Sequence, residues 1–290
     1  MRFGICCNAG SLAQEGDSLD EKVARLADFA RRCDLDFVEF PVGEAQGDEA
    51  QGDEAQCDEL HRAVRQHALP LQSFNVFLPA HHRITGPDVQ LHRVLDYCRV
   101  ALGRCSALGG QIVVLGSGGA RRVLDGWSHE EARSQFISFC RALEPIAAQN
   151  NTTIAIEPLN RREDNFLNSV QDGIGLVREI ACPRIQLLAD QYHMDEDGES
   201  YESVAQAQEF LRHAHTADLG RCAPGFAPEG ETDFIGFFHA LRQSGYAQRP
   251  DARLAVECNW SNLNEQAAPA IALLRRRWDA SAGGGSQRNV

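Results

Sequence analysis

The chain has 290 residues, and 43% of them are hydrophobic, which is enough apolar side chain for a full core. Its 41 acidic residues outnumber its 28 basic ones, and the net charge of −13 argues against a protein that binds a nucleic-acid backbone. The first residues hold no apolar run of secretory-signal length, and no run approaches a membrane span. We therefore expect a cytoplasmic protein with no membrane partner, whose ten cysteines are reduced.

Short apolar segments alternate with longer amphipathic ones along the chain. The strand candidates begin, in order, at Arg2, Phe37, Leu71, Gln111, Thr152, Ile185, His213 and Ala252. Between them apolar residues recur every three or four positions, as in DEKVARLADFARRC, which predicts helices. Eight strand–helix units predict an α/β fold, a closed (β/α)8 TIM barrel over residues 1–280. The alternative, an open doubly wound sheet, lacks a GxGxxG loop after the first strand.

Two segments stand outside this pattern. An acidic stretch that repeats GDEAQ occupies about residues 43–58 and is typical of a solvated low-complexity insertion leading into a helix. The Gly-rich, polar residues 281–290 predict a disordered tail. Neither segment is assigned a function.

Carboxylates and histidines stand at the ends of the last four predicted strands. Glu157 ends the fifth strand, Asp190 the sixth and Glu257 the eighth, while the seventh offers His213 and His215. One carboxylate after a strand is commonly the N-cap of the next helix. Four such groups on adjacent strands of a barrel, however, would meet on one rim and repel each other unless a cation neutralised them. The pattern therefore predicts a divalent-metal site.

Three carboxylates and one imidazole form a hard site that suits Mn²⁺ best, with Mg²⁺, Co²⁺ or Zn²⁺ as alternatives. The predicted ligands are Glu157, Asp190, His215 and Glu257. Because alternate strand residues share a face, periodicity alone does not choose between His213 and His215. A cation on a carbonyl and its neighbouring hydroxyl would acidify the C–H between them and stabilise an enediolate. Glu157 and Glu257 could then move the proton across that carbon, with no organic cofactor.

At these residues the sequence resembles the sugar phosphate isomerase/epimerase superfamily of xylose isomerase-like barrels, and within it the ketose 3-epimerases (D-tagatose and D-psicose 3-epimerases) and hydroxypyruvate isomerase relatives. The resemblance lies in IAIEPLNRREDNFLNS, LLADQYHM, HAHTADLGRCAPG and LAVECNW, together with ALGGQIVVLGSGGARR. It implies a metal held by the four predicted ligands, with His215 preferred over His213. It also implies a homo-dimer or tetramer that acts on a small sugar or hydroxy-ketone.

The same resemblance implies roles for individual side chains. Glu157 and Glu257 resemble the acid/base pair, and Glu163, His193 and Arg221 resemble residues that contact substrate hydroxyls. The ends of the first three strands match no known substrate pocket. There, Glu39 is either a substrate contact or a paired interior carboxylate, and His81 and His82 either line the pocket or lie on the surface.

The predicted function is a metal-dependent isomerase or epimerase of a ketose or related hydroxy-ketone. The alternative on the same metal site is an inosose-type dehydratase, which would release water. Phosphodiester cleavage of the endonuclease IV type is disfavoured by the net charge of −13, and a non-catalytic metal sensor by the two glutamates. The Gly-rich GSGGARRV after the fourth strand predicts either a flexible rim loop or a phosphate-binding loop with Arg121 or Arg122 as the counter-charge.

Overall fold

The computed structural model describes residues 1–46 and 54–283. Within them, eight parallel strands close into a barrel in sequence order. The strands are β1 Arg2–Cys6, β2 Phe37–Pro41, β3 Leu71–Asn75, β4 Ile112–Leu115, β5 Thr153–Ile156, β6 Ile185–Asp190, β7 Leu211–Thr216 and β8 Arg253–Val256. Each begins within two residues of its predicted start, so the predicted TIM barrel is confirmed.

Helices connect the strands over the described residues. They are α1 Leu19–Arg32, α2 Val42–Gln46, α3 Glu54–Gln66, α4 Leu91–Ala107, α5 Gly118–Arg121, α6 His129–Gln149, α7 Val170–Ile180, α8 Gln191–Asp197, α9 Glu202–Ala207, α10 Phe234–Gln243 and α11 Leu263–Ala280. Helix α1 opens with a capping box, in which Ser18 and Glu21 each bond the other's backbone N–H. None of these helices is long and apolar enough to cross a bilayer.

The core has two parts. The larger part lies between the strands and the surrounding helices and includes fully buried aromatic side chains such as Phe136 and Phe238. The smaller part is a cluster of Ile112, Val114, Ala155 and Leu188. Since alternate residues of a strand share a face, Ala155 lies on the face of Glu157 and Leu188 on that of Asp190. This apolar cluster therefore fills the barrel beneath the polar strand ends.

The structure differs from the sequence expectation in two segments. Residues 43–46 and 54–58 of the predicted acidic insertion are helical, and Ala45 and Gln46 are buried; residues 47–53 lie outside the described residues. At the other end, Ser281–Gly283 form a 3₁₀ turn. Arg242 donates to the buried Ser281 Oγ at 2.9 Å, because this turn packs against α10. The rest of the predicted tail, residues 284–290, is likewise outside the described part of the chain.

Candidate active site

The four predicted metal ligands converge at the carboxyl end of the barrel. One candidate ligand atom from each of Glu157, Asp190, His215 and Glu257 lies within 4.8 Å of the others. His215 Nδ1 is 3.1 Å from Glu157 Oε1, 3.7 Å from Glu257 Oε2 and 3.9 Å from Asp190 Oδ2. The strand register contributes directly, because Asp190 in β6 is paired with His215 in β7. We refer to these four side chains as the carboxylate–histidine cluster.

The three predicted substrate-contacting residues lie at the edge of this cluster. Arg221 donates to Glu257 Oε2 at 2.7 Å and to Glu163 Oε1 at 3.3 Å. His193 is buried, and its Nδ1 lies 2.9 Å from the side-chain nitrogen of Asn160, which also donates to Glu163 Oε1 at 3.0 Å. The structure thus brings Glu163, His193 and Arg221 into one polar network with Glu257.

Exposure increases from the cluster toward solvent. The exposed side-chain fraction is 0% for His215 and 1% for Asp190, and it rises to 18% for Glu257 and 40% for Glu163. The cluster is therefore open on the side of Glu257 and Glu163, where a small molecule can approach.

Burial and mutual repulsion perturb the carboxyl groups of the cluster. Burial, with the charges of Glu157 and Asp190, raises the pKa of Glu257 to about 7. Burial likewise raises the pKa of Asp190, together with the charge of Glu157. Burial alone would also raise the pKa of Glu157, but the hydrogen bond and charge of His215 outweigh it and lower this pKa.

The pKa of the His215 imidazole is also shifted, with burial and acidic neighbours acting in opposite directions. Its burial favours the neutral form, but Glu39, Glu157 and Glu257 outweigh that effect and raise its pKa well above the ordinary value. Without a cation, protons on His215 and Glu257 thus offset part of the negative charge. Asp190 Oδ2 is buried and has no hydrogen-bond partner. A divalent cation among these oxygens would satisfy Asp190 and replace the protons, so the residues present fit such an ion.

Glu39 and His213 form a hydrogen-bonded pair inside the barrel, next to the cluster. Glu39 is fully buried, and His213 Nε2 lies 2.7 Å from its Oε2. Of the two interpretations of Glu39, the paired interior carboxylate is therefore the correct one. His213 does not join the cluster, and its burial lowers its pKa to about 4. His81 and His82 line a different cavity of about 190 Å³, next to Arg83.

Arg121 is fully buried and links the ends of β4 and β5. It forms a salt bridge of 2.7 Å with the buried carboxylate of Asp164. Its two terminal nitrogens donate to the carbonyl oxygens of Leu115, at 3.1 Å, and Glu157, at 2.8 Å. These contacts occupy the guanidinium, so the phosphate-binding interpretation is wrong for Arg121.

Sequence reasoning missed two asparagines. Asn75 ends β3 and donates to Glu257 Oε1 at 2.8 Å. Asn160 accompanies Glu157 in the EPLN segment and contacts both His193 and Glu163. The predicted third strand, LQSFNVFL, runs on to Leu78, so only the structure places Asn75 as the last residue of β3. No pattern pointed to Asn160, because its role depends on how the loop after β5 folds back.

Eight curated relatives match parts of the chain, and two of them illustrate the similarity. The chain is 34% identical to 3-dehydro-D-guloside 4-epimerase of Escherichia coli (strain K12) over 107 residues. This aligned segment covers 37% of this chain and 40% of the relative. Over 169 residues the chain is 28% identical to L-ribulose 3-epimerase of Methylomonas sp. (strain DH-1), covering 53% of this chain and 58% of that protein. The chain thus spans about half the length of the curated relatives it matches.

A solved structure and a family model each match a much larger part of this chain than the curated relatives do. The structure of an L-ribulose 3-epimerase superposes on this chain with a TM-score of 0.79 at 19% sequence identity. The superposition covers 100% of this chain and 99% of the epimerase chain. At this identity the superposition shows the fold. A family model described as Xylose isomerase-like TIM barrel matches residues 27–277, which include every member of the carboxylate–histidine cluster. The chain therefore belongs to the xylose isomerase-like TIM barrel family.

Proposed function

We propose that the protein is a divalent-metal-dependent epimerase or isomerase of a ketose or related hydroxy-ketone. The observation that carries this proposal is the convergence of three carboxylates and one imidazole within 4.8 Å at the carboxyl end of the barrel. Glu157, Asp190, His215 and Glu257 would hold the ion. Bound there, a divalent cation would polarise a carbonyl and stabilise the charge that develops when the neighbouring carbon loses its proton. Mn²⁺ is our first choice, since oxygen ligands predominate.

In this proposal Glu157 and Glu257 act as the acid/base pair. They follow β5 and β8, so they approach a substrate from different parts of the ring. Asn75 donates to Oε1 of Glu257 and Arg221 donates to Oε2. These two hydrogen bonds hold the Glu257 carboxylate in one orientation for proton exchange. Glu163 and Arg221, both partly exposed, are the groups best placed to bind substrate hydroxyls, with His193 beneath them.

The names of the relatives support a carbon next to a carbonyl as the reacting centre. One is a 4-epimerase of a 3-dehydro sugar and the other a 3-epimerase of ribulose, a 2-ketose. In both, the named carbon is adjacent to the carbonyl, where a proton is acidic enough for a carboxylate base to remove. We infer the same class of reaction for this chain, on a free or glycosidically linked keto sugar.

One experiment tests the reaction and its substrate together. A panel of ketoses, 3-keto glycosides and hydroxy-ketones is incubated in D₂O with the Mn²⁺-loaded protein, and products are followed by NMR. We expect deuterium at one carbon beside the carbonyl, loss of this exchange with EDTA and its return with Mn²⁺ or Co²⁺. Loss of water from the product would instead indicate the dehydratase. Absence of exchange and of turnover across the panel would contradict the proposal.

Replacement of the acid/base group is the sharper test. We expect Glu257→Gln to reduce deuterium exchange by about 100-fold or more, because the amide cannot carry the proton. Glu229→Gln, an exposed carboxylate in the loop after β7, is the matched control and should keep full exchange. Undiminished exchange in Glu257→Gln would remove this residue from the acid/base role.

A further inference from the structure

A second polar network, centred on Glu39, lies inside the barrel next to the carboxylate–histidine cluster. Glu39 Oε2 accepts a hydrogen bond of 2.6 Å from Ser73 Oγ and lies 2.7 Å from His213 Nε2. Its Oε1 accepts from Cys6 Sγ at 3.3 Å and lies 2.9 Å from His215 Nε2. The register explains part of this arrangement, because Cys6 in β1 and Ser73 in β3 are both paired with Glu39.

The contact with His215 joins the two networks. Nδ1 of His215 faces the three carboxylates of the cluster, whereas Nε2, the other ring nitrogen, faces Glu39. The Nε2–H is not aimed at Oε1 closely enough for a hydrogen bond, so at 2.9 Å the contact is a charge contact. Nε2 is buried and has no hydrogen-bond partner, so the carboxylate of Glu39 at 2.9 Å is the negative charge that a proton on Nε2 would meet.

Burial of a carboxylate costs desolvation free energy unless well-placed charges and hydrogen-bond donors compensate it. Ser73 and His213 occupy Oε2 and hold the carboxylate in one orientation, which leaves Oε1 directed at His215. A neutral imidazole carries one proton. The negative charge of Glu39 beside Nε2 favours the proton on that nitrogen and leaves the lone pair of Nδ1 for a cation.

We propose that Glu39 is a positioning residue that presents Nδ1 of His215 to the predicted metal position. This inference rests on the proposed function, because it requires an ion between Glu157, Asp190, His215 and Glu257. Glu39 itself contacts neither the ion nor the substrate, since it lies on the opposite side of the imidazole and is fully buried.

A competing arrangement is tested by the same experiment. Cys6, Glu39 and His215 also offer one ligand atom each within 4.8 Å of one another, so they could hold a second ion. In that case Glu39 would be a ligand.

The test measures Mn²⁺ binding to the whole protein by isothermal titration calorimetry. Loss of a partner behind a ligating histidine typically weakens metal affinity about 10- to 100-fold, so we expect that loss in Glu39→Gln, with one ion per chain retained. Ile185→Val is the matched control, because Ile185 is fully buried in β6 on the face opposite Asp190. Ile185→Val removes one buried methylene group from the core without contacting either polar network. This variant should therefore bind Mn²⁺ with the affinity of the wild type.

The other possible results of the titration would each contradict the positioning role of Glu39. Equal affinities of Glu39→Gln and wild type would overturn the inference. Two ions on the wild type, one of them lost in Glu39→Gln, would make Glu39 a ligand and overturn it as well. If the wild type binds no ion, the proposed function fails and the inference fails with it.

A measurement on the wild type covers the case in which Glu39→Gln does not fold. The ¹⁵N shifts of the His215 ring in the Zn²⁺-loaded protein report which nitrogen carries the proton. We expect a protonated Nε2 and a metal-bound Nδ1. A metal-bound Nε2 would refute the positioning role of Glu39.

Discussion

Gly116, directly after β4, offers the sharpest geometric test of the carboxylate–histidine cluster. A Cβ at this position would lie 2.3 Å from Glu157 Oε2, whereas ordinary contact begins at 3.4 Å. The backbone of Gly116 does not have the positive φ that disfavours side chains, so alanine is accommodated there except for this contact. Gly116→Ala must therefore displace the carboxylate oxygen by about 1 Å.

A shift of this size matters more for the site than for the fold. Oε2 is at the free end of the Glu157 side chain, which can rotate away, so we expect little change in the free energy of unfolding. Displacements of about 1 Å at a reacting centre cost roughly 100-fold in rate, and metal sites tolerate about 0.5 Å. We therefore expect Gly116→Ala to weaken Mn²⁺ binding at least about 10-fold and to reduce deuterium exchange about 100-fold.

The assays are calorimetric Mn²⁺ titration, deuterium exchange by NMR, and urea unfolding on the same preparations. Gly175→Ala is the matched control, because a Cβ on this exposed residue of α7 meets nothing within 4 Å. Because alanine has a higher helix propensity than glycine, Gly175→Ala should raise the free energy of unfolding by up to about 1 kcal/mol. It should leave the Mn²⁺ affinity unchanged. Unchanged Mn²⁺ affinity and exchange in Gly116→Ala would refute the assignment of Glu157 as a ligand in the orientation described.

Two further predictions follow from the charges. In the metal-free protein the pKa of Glu257 is about 7, and its proton must leave before an ion binds; the apparent Mn²⁺ affinity should therefore rise at least about tenfold from pH 6 to pH 8. Calorimetry at the two pH values checks this, and an affinity independent of pH would contradict it. Arg121→Met should cost about 3–5 kcal/mol of unfolding free energy in urea, because it leaves the buried Asp164 unpaired. Adding Asp164→Asn should recover part of that loss, and a cost below about 1 kcal/mol would show that the pair is not needed.

The sequence by itself determined the barrel and the residues of its rim. Period-two apolar segments and period-3.6 amphipathic segments depend on local geometry alone, so strand starts such as Phe37 and Leu71 were predicted to the residue. The carboxyl ends of parallel barrel strands meet on one rim, so position in the chain was enough to group Glu157, Asp190 and Glu257 with one of the two histidines of β7. The choice of His215 over His213 came from the family resemblance.

Only the tertiary structure decided what each interior polar group contacts. Alternation places His213 and His215 on the same face, but their depth in the barrel depends on the stagger between strands. A register irregularity between Leu187 and Leu188 sets Asp190 beside His215, while His213 reaches Glu39 across the barrel. Contacts between side chains of distant strands depend on how the sheet closes, and local sequence does not encode that closure.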